Sequence, residues 1–333
     1  MDFSDLARLA SGHVEARIVQ AAVELGIFDV FKAESRNAEF IASALSSDHR
    51  ATELLLNALT ALGLLHKTDD RYSLTDVSHK YLVKDASGSY AGMIQFDASL
   101  WGCWEKLAEA VRKGEPVRPA NMYQDDPDDT ERFIRAMDSL VKARGDADVL
   151  ATLFDWRHTA ALLDVGSGPG TYPMHLCRLY PDLAVTIFDL PGTLRITGQY
   201  IREAGLEKRV RLIAGDYRTD PIPGAYPVVL LSNIIHGESY DENERLMVKL
   251  AANLQPGGKL LIKDHILDDR RTHPRVGALF SMLMLLTTQN GRCFSFTEVK
   301  NWLAKAGLAE ITQIDLPAPL TSSIVVGTKA HAG

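Results

Sequence analysis

A chain of 333 residues has room for about two domains, each with an ordinary hydrophobic core. Its 46% hydrophobic and 24% charged residues describe a globular protein, and a net charge of −7 argues against nucleic acid as a main partner. No apolar run approaches about 18 residues, so no membrane span is expected. Cys103, Cys177 and Cys293 are odd in number and unpatterned, and the opening Met1-Asp2-Phe3-Ser4-Asp5 lacks the basic and apolar regions of a secretion signal. Together they predict reduced thiols in a cytoplasmic protein.

The first part of the chain reads as helical. Val14, Ile18, Val19, Ala22, Val23 and Leu25 form an apolar stripe at helical spacing, with Gly26 near its end. A short helix is expected from Asn37 to Leu45. Asp48 caps a third, through Leu54, Leu55, Ala58 and Leu59 to Gly63. Leu64 to Lys67, a turn at Thr68-Asp69-Asp70, and Arg71 to Leu74 then make a small hairpin. Three helices and a β-wing are a winged helix-turn-helix. A DNA-reading version needs Arg, Lys, Asn or Gln aimed at bases and phosphates. The candidate recognition helix offers only Arg50, Glu53 and Asn57, and the wing tip carries Asp69 and Asp70. Residues 1–90 are therefore expected to be a mostly helical winged-helix dimerisation domain, with a DNA-binding regulator as the rival reading.

Residues 91–155 read as a helical linker and substrate lid. Two helices are expected, at about 94–113 and 129–152, joined by a loop rich in Pro, Asp and Asn. Trp101, Trp104 and Met137 on these helices are core residues or a substrate wall.

From residue 156 onward, short β-branched or leucine-rich strands alternate with helical stretches. They are Ala161–Val165, Ala184–Phe188, Val210–Ile213, Val228–Ser232 and Lys259–Lys263, with Ile311–Ile314 and Ser323–Thr328 closing the chain. This is an α/β fold with a mostly parallel sheet, whose ligands sit outside the carboxyl ends of the strands. The first strand ends in Asp164-Val165-Gly166-Ser167-Gly168-Pro169-Gly170. Glycines there let the backbone approach a ligand that a Cβ would exclude. The spacing is one residue tighter than the dinucleotide fingerprint, and Pro169 has no N–H for a phosphate. Asp164 suits an amine-bearing ligand, and Asp189, at the tip of the second strand, suits a ribose diol.

After the third strand, Asp216 can accept from an exocyclic amine and Tyr217 can stack on a purine. After the fourth, Ser232-Asn233-Ile234-Ile235-His236 brings a histidine to the edge of the crevice. There it is either a general base or a residue bonded to backbone.

The D-x-G-x-G-x-G turn resembles the first motif of class I methyltransferases, which bind S-adenosyl-L-methionine. The similarity extends over residues 1–330 to small-molecule O-methyltransferases of the caffeate, flavonoid and hydroxyindole type, including bacterial tailoring enzymes. It rests on D-V-G-S-G-P-G, F-D-L-P, G-D-Y, S-N-I-I-H-G, L-Q-P-G-G-K and F-T-E-V-K-N-W-L-A-K-A-G-L. The resemblance implies a Rossmann-like methyltransferase domain at 156–333 and a homodimer. It implies cofactor contacts at Asp164, Gly166, Gly168, Asp189, Leu190, Asp216, Tyr217 and Ser232. Acceptor contacts are implied at Trp101, Trp104, Met137, Asn233, Met284 and Thr288, with no metal. It makes His236 the base that deprotonates a hydroxyl of a small aromatic, phenolic or enolic molecule.

In plant relatives two glutamates orient that histidine. One aligns with Asp264 and the other with Cys293, so this chain departs from the pattern. Glu238 is a second candidate orienter, and His265 is a rival base. Cys293, beside Arg292, is either a reactive thiolate or a buried pocket thiol. Methylation at carbon or nitrogen, or a non-methylating reaction on the same fold, are the competing activities.

Overall fold

The expected strands are all present, and the two helices expected between residues 94 and 152 are each divided. The computed structural model describes residues 1–331 apart from Ala33, Met122 and Pro319, so the final two residues of the expected third range lie outside it. The chain forms two compact units, one of residues 1–101 with 135–143, the other of residues 102–134 with 144 to the C-terminus.

In the first unit, Asp2 and Asp5 form a reciprocal cap that starts α1 (Phe3–Glu24), and Gly26 ends it in a left-handed conformation. Asn37 caps α2 (Ala38–Leu45), and Asp48 caps α3 (His49–Ala61). The strands β1 (Arg36–Asn37), β2 (Leu65–Thr68) and β3 (Arg71–Leu74) form an antiparallel sheet in the order β1-β3-β2. Next come α4 (Asp76–Tyr81) and α5 (Ala91–Ser99). Ala22, Ile27, Phe28, Ile41, Leu56 and Leu59 are buried together. The opening turns of α1 leave Phe3 84% and Leu6 57% exposed. Asn57, a candidate base reader, instead accepts from Lys67 at 2.8 Å and from the Tyr72 hydroxyl at 2.9 Å.

The expected helix at 94–113 is divided into α5, α6 (Trp101–Glu105) and α7 (Leu107–Lys113). Gly102 inside this run lowers its helix propensity. The second expected helix is α8 (Pro127–Arg144) and α9 (Asp146–Leu153), broken at Gly145, whose φ is 71°.

The second unit holds a seven-stranded sheet. Its elements are β4 (Ala161–Val165), α10 (Thr171–Leu179), β5 (Ala184–Asp189), α11 (Pro191–Glu203), β6 (Val210–Ala214), β7 (Tyr226–Ser232), α12 (Tyr240–Ala252), β8 (Leu254–Asp264), α13 (Arg275–Thr287), α14 (Phe296–Lys305), β9 (Leu308–Asp315) and β10 (Ser323–Lys329). The spatial order is β6-β5-β4-β7-β8-β10-β9, parallel except that β10 runs antiparallel to both its neighbours. The chain winds outward from β4 to β6, then returns to place β7 on the other side of β4. That reversal opens a crevice at the carboxyl ends of β4 and β7, where such sheets bind ligands. Behind it, Leu163, Val165, Val229, Leu231, Ile262 and Trp302 are fully buried. On β8 the fully buried Lys263 pairs with Asp146 at 2.8 Å, and Asp146 also accepts from Tyr172 at 3.3 Å. An ion pair joining residues so far apart in the chain leaves no local sequence signal.

Candidate active site

The crevice begins where β4 ends. Gly166, Gly168 and Gly170 all take left-handed backbone angles, with φ of 67°, 59° and 75°. A Cβ on Gly166 would collide with Ile234, so the turn needs glycine for conformation and for space. The Gly168 N–H donates to Asp189 Oδ2 at 2.8 Å, and the Leu190 N–H donates to Oδ1 at 2.7 Å. Burial pushes the Asp189 carboxyl up to about 6, against these amide bonds. Asp164 is buried on the same turn, and burial pushes its carboxyl up to about 7. One of its oxygens accepts from the Ser167 hydroxyl at 2.6 Å; the other, Oδ1, has no partner among the described residues.

Gly215 sits where a Cβ would strike the Phe188 ring, which fixes the loop that follows β6. Asp216 is held by Arg218 at 2.8–3.1 Å, and that bond keeps its carboxyl below the usual range. The Tyr217 hydroxyl donates to Glu238 Oε1 at 2.6 Å. Burial raises both groups, and Glu238 is committed to Tyr217 rather than to His236. The expectation that Glu238 orients the histidine is thereby corrected.

β7 ends at Ser232. Asn233 then turns left-handed, with φ of 56°, donates its N–H to Lys263 O at 2.7 Å, and reaches Ser232 Oγ at 3.3 Å. This kink delivers His236 on a single helical turn, Ile235–Gly237. His236 Nδ1 lies 2.9 and 3.0 Å from the two oxygens of Asp264, on the neighbouring strand. Asp264 is 1% exposed and also accepts the His265 N–H at 2.7 Å. Burial pushes its carboxyl up, but the charges and hydrogen bonds of His236 and His265 outweigh that and hold it below the usual range. An ionised Asp264 accepts, so the proton is assigned to His236 Nδ1 and Nε2 keeps its lone pair.

His265 is buried, bonds through Nδ1 to Thr321 O at 3.2 Å, and is depressed by burial. Cys293 is 2% exposed; burial and then the field of Asp264 push its thiol up to about 12. It is a neutral thiol, which corrects the reactive-thiolate alternative. The backbone of Gly291 packs so closely on the His236 carbonyl that a Cβ there would clash. Thr288 is buried, donates to Met284 O at 2.7 Å and accepts the Gly291 N–H at 2.9 Å. Met284 is also buried, and Trp104 is 38% exposed.

The second unit thus brings the glycine turn, Asp164, Asp189, Asp216, Tyr217, Ser232, Asn233, His236 and Asp264 to the carboxyl ends of its strands. Trp101 and Met137 belong to the first unit, where the Trp101 ring nitrogen donates to Gln20. Sequence reasoning gave Phe280 on α13 no contact with the histidine. Its ring meets the His236 ring perpendicularly, with centroids 4.8 Å apart. It also missed Gln124, whose amide donates to Thr193 at 3.3 Å in the first turn of α11. Neither carries a motif.

These residues suit a nucleoside bearing an amino acid. Asp189 is a buried acceptor at the strand tip, and Asp164 is a buried carboxylate whose free oxygen calls for a cationic donor. The closed approach at Gly166 leaves room for backbone contact and none for a side chain.

Such a crevice marks a methyltransferase of the S-adenosylmethionine-dependent class. The chain belongs to the O-methyltransferase family: the family's O-methyltransferase domain matches residues 104–309, and its O-methyltransferase dimerisation domain matches residues 7–84. It is an enzyme, and S-adenosylmethionine is its cofactor. It is 33% identical to 3-hydroxy-5-methyl-1-naphthoate 3-O-methyltransferase of Streptomyces sahachiroi, over 98% of this chain and 95% of the relative. It is 29% identical to the tetracenomycin polyketide synthesis 8-O-methyl transferase TcmO of Streptomyces glaucescens, over 96% of this chain and 95% of that one. The fold matches human N-acetylserotonin methyltransferase, solved in complex with SAM, with a TM-score of 0.89 at 24% identity over 99% of both chains. No described helix is long and apolar enough to cross a membrane.

Proposed function

We propose that this enzyme methylates a hydroxyl of a small aromatic molecule, phenolic or enolic, with His236 as general base and Asp264 as its orienter. The observation that carries the reading is the Nδ1 contact to both Asp264 oxygens, which leaves Nε2 free to accept a proton. The two relatives, one named for 3-O-methylation of a hydroxynaphthoate and the other for 8-O-methylation in tetracenomycin polyketide synthesis, support the acceptor class. When bound, S-adenosylmethionine supplies an electrophilic methyl group on a sulfonium.

The chain's own residues do the rest. With the cofactor bound, Asp189 would accept from its ribose diol and Asp164 from its amine. Gly166, Gly168, Leu190 and Ser232 line the backbone side of the crevice, and Asp216 and Tyr217 meet the base. Asn233, Met284, Thr288 and Trp104, all in the second unit, wall the acceptor. Removing one proton from an oriented hydroxyl, beside a fixed electrophile, is the work asked of the protein. Residues 1–90 serve as dimerisation domain, 91–155 as lid, and 156–333 as catalytic domain of a cytoplasmic homodimer that does not bind nucleic acid.

The test is His236→Ala. Turnover should fall about 10²–10⁴-fold, the usual worth of general base catalysis, while S-adenosylhomocysteine affinity stays within a few-fold of wild type. A fully active His236→Ala with a dead His265→Ala would move the base to His265.

A further inference from the structure

His236 is held by Asp264 at one ring nitrogen only. Its contacts to the two Asp264 oxygens, at 2.9 and 3.0 Å, fix where Nδ1 points but do not by themselves fix the tilt of the ring. Phe280, on the second turn of α13, packs its ring against that imidazole. Its ring stands at 89° to the His236 ring with centroids 4.8 Å apart, and at 62° to the His265 ring with centroids 5.3 Å apart. Two imidazoles from different segments thus share one benzene ring in edge-to-face contact, the arrangement that aromatic quadrupoles favour.

Cys293, whose thiol senses the Asp264 charge, is buried and neutral. Ser281, the next residue on α13, is spent on Gly277 O at 3.0 Å and on the Cys293 N–H at 3.1 Å. His265 is itself anchored by Thr321 O and by its N–H to Asp264. It therefore acts as a fixed backstop for the Phe280 ring.

From this arrangement we infer that Phe280 is a positioning residue for the base: it clamps the His236 ring against the fixed His265 and keeps Nε2 aimed at the crevice. The inference rests on His236 being the base. Its readout does not, because it follows the ring and not the reaction.

The experiment is NMR of the imidazole protons in the full-length enzyme saturated with S-adenosylhomocysteine. The His236 Nδ1–H signal is assigned by its loss in His236→Gln. In wild type this proton, held to Asp264, should exchange slowly with water. In Phe280→Leu it should exchange at least about two-fold faster, the lower end of what an edge-to-face contact confers. Phe280→Tyr, which keeps the ring, should restore the wild-type rate. Phe280→Met fills the volume without a ring and should behave as the leucine variant, which covers a folding failure of the latter.

A lower melting temperature with an unchanged Nδ1–H exchange rate in both ringless variants would make Phe280 a packing residue and overturn the inference. So would an unchanged rate with a raised KM for a hydroxynaphthoate probe, which would place Phe280 in the acceptor wall. Normal turnover in His236→Ala would sink the base assignment while leaving the exchange result to stand separately.

Discussion

Replacing Asp264 with asparagine keeps the shape of the side chain and removes its charge. Two donors converge on Oδ1, the His236 Nδ1–H at 2.9 Å and the His265 N–H at 2.7 Å, while Oδ2 lies 3.0 Å from the same Nδ1. An asparagine that offers its oxygen to His265 turns its amide toward His236, donor against donor. The histidine then relieves the clash by moving its proton to Nε2, the nitrogen that must stay free. An asparagine in the opposite orientation keeps one neutral bond and loses the charge that stabilises an imidazolium.

Hydrogen bonds to charged groups contribute about 1.5–3 kcal/mol, so turnover should fall roughly 10- to 150-fold. That is less than the loss of the histidine, because Asp264 acts only through it. The assay is methyl transfer to a hydroxynaphthoate acceptor, with S-adenosylhomocysteine binding measured by calorimetry on the same samples. Wild-type turnover in Asp264→Asn, at unchanged cofactor affinity, would refute the orienting role.

Asp189→Ala should weaken S-adenosylhomocysteine by about 1–3 kcal/mol, because ribose donors lose a buried acceptor; calorimetry checks this. Asp164→Asn should change the pH dependence of stability. The folded carboxyl, at about 7, lies above its ordinary 3.8, so the native state binds the extra proton between those values and wild-type stability falls as pH rises. Between pH 5 and 7 the variant should therefore gain about 2–3 kcal/mol relative to wild type in ligand-free denaturant melts. A flat difference would contradict the burial argument. Light scattering at micromolar concentration should give twice the 36.7 kDa chain mass, since Phe3 and Leu6 on α1 are exposed apolar residues that a partner would cover. A clean monomer would contradict the dimer.

The parts of the site visible in the sequence are those set by short-range rules. Gly166 and Gly168 announce themselves because only glycine tolerates both the φ and the contact with Ile234. Asp189 is legible because it ends a short strand rich in β-branched residues, Ala184–Asp189, and β4 runs over the expected residues Ala161–Val165. His236 and Asp264 were each visible as strand-end residues. Their contact depends on β7 lying beside β8, a matter of sheet order.

What stayed hidden is long-range or generic. Phe280 lies in an apolar helix that reads equally well as core, and nothing local says that its ring meets two histidines. Lys263 ends an expected strand, and nothing in the sequence ties it to Asp146 and, through it, Tyr172. The helix breaks at Lys106 and Gly145 fall inside stretches that the sequence pattern reads as single helices.

The most direct test of the whole account follows the methyl group itself. The enzyme is incubated with S-adenosylmethionine labelled with carbon-13 at the sulfonium methyl, together with a panel of hydroxynaphthoates and simple phenols. The product is read by NMR, in parallel for wild type and His236→Ala. The account predicts that the label appears as an aryl methyl ether in wild type and is nearly absent in His236→Ala, although both proteins bind S-adenosylhomocysteine alike. Label arriving on carbon or nitrogen, or an ether formed equally fast without the histidine, would contradict it.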